Sequence, residues 1–199
     1  MTNLLPAYAR ITAILPCYTT AGDSTLIIAD DGSTTTLNTK VRTVIQRLAK
    51  SRAVDLTALK NRTKAATGRK NLEPLPIAPG LVLVPVKVRK PRINGDTTTG
   101  YINFHAVTAV RTSTNKPYQA TITLSGKAEV PVLWTSVTIN RQLALTRLAV
   151  SSTPYSLNAL PARSFQESFA GYSPELLTLA VKLVDVFNEI LAIKRQPYS

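Results

Sequence analysis

The chain has 199 residues, with 24 Lys plus Arg against 11 Asp plus Glu, and so a net charge of +13. At 44% hydrophobic and 18% charged residues it is too apolar to be disordered throughout, and its length suits one large or two small domains. A single cysteine, Cys17, and a single histidine, His105, exclude an internal disulfide and a cysteine-based zinc site, and no run approaches the roughly 18 apolar residues of a membrane span.

Met1 to Pro16 lacks a basic leader, a long apolar block and a small-residue cleavage site, so a soluble cytoplasmic protein is expected. Tyr8 to Tyr18 alternates in its middle and predicts a strand that carries Cys17 as a small core residue. Leu26 to Ala29 predicts a second strand, running into the turn residues Asp30, Asp31 and Gly32 and a Thr-rich return, Ser33 to Thr36. Strands joined across Asp31 and Gly32 form a hairpin, and the turn explains both aspartates without paired-carboxylate catalysis.

Val41, Val44, Ile45 and Leu48 follow the i, i+3, i+4, i+7 spacing and predict an amphipathic helix with Arg42, Arg47 and Lys50 on its opposite side. Lys60 to Lys70 (KNRTKAATGRK) loses that apolar periodicity and is broken by Gly68, so it reads as a flexible basic loop or arm. Pro74, Pro76, Pro79 and Gly80 read as a connection. Leu81 to Val88 reads as a strand whose Pro85, lacking an N–H, belongs at an edge or bulge.

A second β unit follows a polar loop, Ile93 to Gly100. Strands are predicted at Tyr101 to Val110, Tyr118 to Leu124 and, past the Ser125-Gly126 turn, Lys127 to Leu133. Their connections are too short for crossovers, so the meander is antiparallel. Trp134 packs under a helix predicted from Ser136 to Val150, capped by Thr135 or Ser136, with Leu145 and Leu148 among its buried residues. Ser173 as N-cap, Pro174 and Glu175 at the start and Lys194 and Arg195 at the end predict a last helix over Pro174 to Ile193. Its apolar residues cover more than half its circumference, for burial within the chain or for a subunit contact. The expected fold is α+β in one domain, 1–199: an antiparallel, sheet-rich core, a basic helix and arm in the middle, and an apolar C-terminal helix.

The charge is concentrated. Between residues 40 and 92 lie Lys40, Arg42, Arg47, Lys50, Arg52, Lys60, Arg62, Lys64, Arg69, Lys70, Lys87, Arg89, Lys90 and Arg92, with only Asp55 and Glu73 against them. The rest of the chain holds 10 basic and 9 acidic residues. Seven of these fourteen are Arg, whose planar fork suits phosphate oxygens, so one continuous polyanion-binding surface is expected rather than a solvated face kept basic for solubility. Catalytic constellations are scarce: His105 is the only imidazole available as a base, it sits in a strand context that favours a structural role, and no phosphate-loop or dinucleotide pattern occurs. An enzyme is not expected, and neither is a cofactor.

In order along the chain, ITAILP (Ile11 to Pro16), a hairpin, AATGRK (Ala65 to Lys70), LVLVPV (Leu81 to Val86), GYINFHAVTAV (Gly100 to Val110) and LSGKAEVPV (Leu124 to Val132) resemble the competence transcription factor family typified by ComK, over roughly residues 11 to 150. Gly100 and Tyr101 stand where that family has Cys and Trp, and its C-terminal docking element is echoed by Phe169, Tyr172 and Pro174. The resemblance implies a transcription activator of the nucleoid that binds AT-rich double-stranded DNA as a homo-oligomer, largely from the minor groove. It also implies contact with RNA polymerase and control by a proteolytic adaptor. Arg62, Arg69 and Lys70 are then the residues expected in the groove, with Arg42, Arg47 and Lys50 on phosphates. An RNA-binding or ribosome-associated protein is the alternative. Residues 40–92 contain no Phe, Tyr or Trp, which favours duplex over single-strand recognition. An acidic protein partner is a third reading.

Overall fold

Two apolar faces of one sheet organise the chain, which the computed structural model describes over residues 8–68 and 72–151. β1 (Ile11–Thr19), β2 (Gly22–Ala29), β3 (Thr34–Leu37), β4 (Leu75–Ala78), β5 (Leu81–Lys87) and β6 (Thr99–Asn103) form an antiparallel sheet in the order β3-β2-β1-β6-β5-β4. Successive side chains leave a strand on opposite faces. Ile14, Ile27, Leu81 and Leu83 therefore enter one core, while Ala13, Ile28, Val84 and Ile102 enter another. The first core is covered by α1 (Val41–Ser51) and by Leu56 and Leu59 of α2 (Leu56–Thr67). The second is covered by a three-stranded antiparallel sheet, β7 (Val107–Thr112), β8 (Ala120–Leu124) and β9 (Glu129–Val132), and by Ile139 of α3 (Ser136–Ser151). The fold is α+β. The expected helix over 174–193 lies outside the described residues.

α1 buries Val41, Val44, Ile45, Leu48 and Ala49 and leaves Arg42, Arg47 and Lys50 exposed, as its periodicity predicts. It ends in a Schellman motif: the Ala53 N–H donates to the Lys50 carbonyl (3.1 Å) and the Val54 N–H to the Ala49 carbonyl (2.9 Å). Ala53 takes the left-handed position of that motif at φ 53°, which glycine adopts without a Cβ clash. Ala53→Gly is expected to stabilise the fold by about 0.5–1 kcal/mol, raising Tm by a few degrees in a thermal melt.

Other expectations need correction. Lys60 to Thr67 is helical, belonging to α2, because Asp55 caps that helix by accepting from the Thr57 and Ala58 N–H groups and because Leu56, Leu59 and the buried Thr63 make its inner stripe. The helix stops at Gly68 (φ 67°). The proline-rich connection contains β4, an edge strand where Pro76 is tolerated. β5 is internal, but β4 pairs only with Leu81 to Leu83, so Pro85 lies past the end of that ladder. The strand expected over Tyr101 to Val110 is two strands in two sheets, separated by a 3-10 turn, Phe104–Ala106, whose His105 N–H is capped by the Asn103 side chain. α3 starts on a Thr135 cap as expected; among its described side chains Ile139, Gln142, Thr146 and Ala149 are buried and Leu145 is half-buried, while the side chain of Leu148 lies outside those described. Cys17 is half-buried rather than in the core, and Trp134 packs on the second core as expected.

The two hairpin tips meet. A Cβ at Gly126 (φ 82°), in the β8–β9 turn, would lie 2.3 Å from the Asp30 carbonyl oxygen in the β2–β3 turn. That β2–β3 turn is the predicted hairpin: Ser33 N–H donates to Asp31 (2.8 Å), and Arg10 donates to Asp30 (2.9 Å) and Asp31 (2.5 Å). These hydrogen bonds, from Ser33 first and Arg10 next, hold the exposed Asp31 carboxyl at a pKa of about 2.

Candidate nucleic-acid interface

The helix pair places basic side chains along continuous grooves. Arg42 of α1 and Lys60 of α2 line a cleft of about 480 Å3 whose other wall is Thr97, Thr99 and Tyr101. Lys87 is the cross-strand partner of Thr99. Gln46, Leu56 and Thr57 continue this cleft into a shallower groove between α1 and α2, which Lys50 also lines. Arg47, Arg62 and Lys64 are exposed on the same two helices.

The surface is positive and carries little compensating charge. Neither helix contains an acidic residue, and Lys40 sits at the N-cap of α1 with no side-chain cap bond, followed by Arg42. Two cations at the positive end of a helix dipole cost a few tenths to about 1 kcal/mol, a penalty that an anion reverses. Among the described residues only Arg10 and Arg89 are ion-paired. Arg42, Arg47, Lys50, Lys60, Arg62 and Lys64 have no carboxylate partner there.

The remaining candidates divide differently, which corrects the expectation of one surface. Arg52 stacks on the Tyr8 ring, its guanidinium 3.3 Å from the centroid. Arg89, Lys90 and Arg92 line a separate cleft on the side of the sheet covered by β7–β9, next to Leu15, Val88 and Val130. Arg89 does not behave as a phosphate contact: its side chain is 12% exposed and paired with Asp23, itself 6% exposed. Arg69 and Lys70 lie outside the described residues. Tyr18 and Asp23, which hold this second group, stand 66 to 78 residues from their partners in sequence and had no local signal, whereas Asp96 also accepts from the nearby Arg92 N–H.

His105 is exposed on the 3-10 turn, edge-on to Phe104 with ring centroids 5.4 Å apart, and burial pushes the Cys17 thiol above its ordinary pKa, away from nucleophilic thiolate. No group of three or more His, Cys, Asp or Glu among the described residues is placed to hold a metal ion, and none of the described helices is long and apolar enough to cross a membrane. Comparison with protein-family models, with curated proteins and with solved structures finds no match.

Proposed function

We propose that this chain binds double-stranded DNA and regulates transcription, using the exposed faces of α1 and α2. The observation that carries this reading is the run of six exposed cations, Arg42, Arg47, Lys50, Lys60, Arg62 and Lys64, on two consecutive helices without a carboxylate partner among the described residues. Cations fixed on helices set a register against phosphates and supply affinity more than sequence choice. A preference for AT-rich sites, activation through RNA polymerase as a homo-oligomer in the nucleoid, and adaptor-controlled turnover are the further properties that the resemblance to the competence family supports. The site choice falls to Arg69 and Lys70, which follow the end of α2 at Gly68, whereas Arg62, expected in the groove with them, is carried on α2 itself and is assigned to phosphate.

RNA binding is the rival, and the aromatic content weighs against it. Among the described residues the only ring lining the α1 cleft, Tyr101, is packed against the first core, and the Tyr8 ring near the end of α1 is packed there too and already covered by Arg52.

Gel-shift competition tests the reading. Unlabelled duplex DNA is expected to displace a labelled duplex better than single-stranded RNA of the same length does, and log affinity is expected to fall in proportion to log salt. Arg42→Ala, Lys50→Ala and Arg62→Ala each weaken all duplexes alike and reduce the salt slope by about one. A flat salt dependence, or RNA as the better competitor, overturns it.

A further inference from the structure

We propose that the cleft between the two sheets is a binding site for a small organic anion, a carboxylate on an apolar ring being the class it fits. The cleft measures about 450 Å3, within the range of small-molecule sites, roughly 300–1,000 Å3. Its apolar wall is drawn from both sheets, with Leu15, Leu26 and Val88 on one side and Tyr118, Val130 and Leu133 on the other. Its charged wall holds Arg89, Lys90 and Arg92, and among the described residues no carboxylate lines it.

Two observations point to an anionic ligand. First, Arg89 donates from Nε to the Thr97 carbonyl (2.8 Å) and from Nη2 to Asp23, but its Nη1 is buried with no acceptor. A buried guanidinium N–H without a partner is costly, and a ligand oxygen relieves it. Second, the cationic wall is held in place beforehand. The Tyr18 ring takes the Arg89 guanidinium at 3.8 Å and the Arg92 guanidinium at 4.2 Å from its centroid. Its hydroxyl donates to Asp96 (2.5 Å), whose same oxygen accepts the Arg92 and Ile93 N–H groups at 3.0 Å. Asp23 and Asp96 are thus engaged, and the exposed side chains of Lys90 and Arg92 have no carboxylate partner among the described residues. Groups already ordered bind with less entropic loss. The site uses none of the α1 and α2 cations, so it stands apart from the DNA reading.

An amide-resolved NMR titration of the full chain tests it, with 2-naphthoate as the probe and 2-naphthol and inorganic phosphate in separate arms. Naphthoate is expected to give saturable shifts at Leu15, Tyr18, Val88, Arg92, Tyr118 and Leu133. Naphthol binds roughly tenfold more weakly, and phosphate leaves the apolar wall unmoved. Arg92→Ala, at an exposed side chain, lowers naphthoate affinity by about tenfold, the worth of one charge-assisted hydrogen bond. Leu26→Trp fills the cleft and abolishes the shifts. The proposal is overturned if naphthoate gives no saturable shifts, if naphthol binds equally well, if phosphate reproduces the naphthoate pattern, or if the shifts gather on α1 and α2 instead.

Discussion

Replacing Arg89 by methionine lowers the stability of the fold by about 3–5 kcal/mol, the usual consequence of removing one partner of a buried ion pair. The size follows from burial. Asp23 is 6% exposed and accepts from Arg89 Nη2 and from the Thr97 N–H (3.0 Å), so without the guanidinium a carboxylate is left almost unhydrated beside an apolar cleft. The methionine also gives up the stacking on Tyr18 and the bond to the Thr97 carbonyl. Chemical denaturation monitored by circular dichroism measures the loss. The double variant Asp23→Leu with Arg89→Met is expected to cost clearly less than the sum of the two single changes, since it removes both charges together.

Acid supplies a second test of the same pair. Burial opposes ionisation of Asp23, but the hydrogen bonds from Thr97 and Arg89 outweigh it and hold the carboxyl below its ordinary 3.8. A depressed folded-state pKa means that the contribution is fully present above the unfolded value and is lost as pH falls through the folded one. The native chain therefore loses this increment below about pH 4. In Arg89→Met the burial is opposed only by the Thr97 hydrogen bond, so the neutral acid is favoured relative to the native chain and the deficit of the variant narrows as the solution is acidified over the same range. A deficit that stays constant from pH 6 down to the acid limb would show that Asp23 is not what Arg89 stabilises.

Asn103→Ala is expected to cost roughly 3–5 kcal/mol, because one side chain satisfies backbone groups from three segments and each abandoned buried group costs about 1–3 kcal/mol. Asn103 is 4% exposed. Its Nδ2 donates to the Ile11 carbonyl (3.1 Å) and the Gly80 carbonyl (2.8 Å), and its Oδ1 accepts from Val82 and His105 N–H (3.3 Å each). Asn103→Asp keeps the acceptor but turns a carboxylate toward two carbonyl oxygens, so it is expected to be no better than alanine. Urea titration of both variants reads the effect, and a loss under about 1 kcal/mol would show that water replaces these bonds.

These features differ in how visible they are along the chain. The buried stripe of α1 is written at helical spacing, and the Asp30 to Ser33 turn is written in adjacent residues, so both were legible. The second helix was not, because its cap, Asp55, and its anchors Leu56 and Leu59 precede the basic run that draws the eye, and its one fully buried side chain is a threonine. The division of GYINFHAVTAV between two sheets depends on Asn103 reaching Ile11 and Gly80, which no periodicity records. The same holds for the basic stretch. Its α1 residues declared their exposure by spacing, whereas the capture of Arg89 by Asp23 and Tyr18 required partners 66 residues and more earlier in the chain.

The seat of Gly126 on the Asp30 carbonyl ties the lengths of two distant loops together. Extending either tip by one residue would unseat the other, so relatives of this chain should gain or lose residues in both turns at once or in neither.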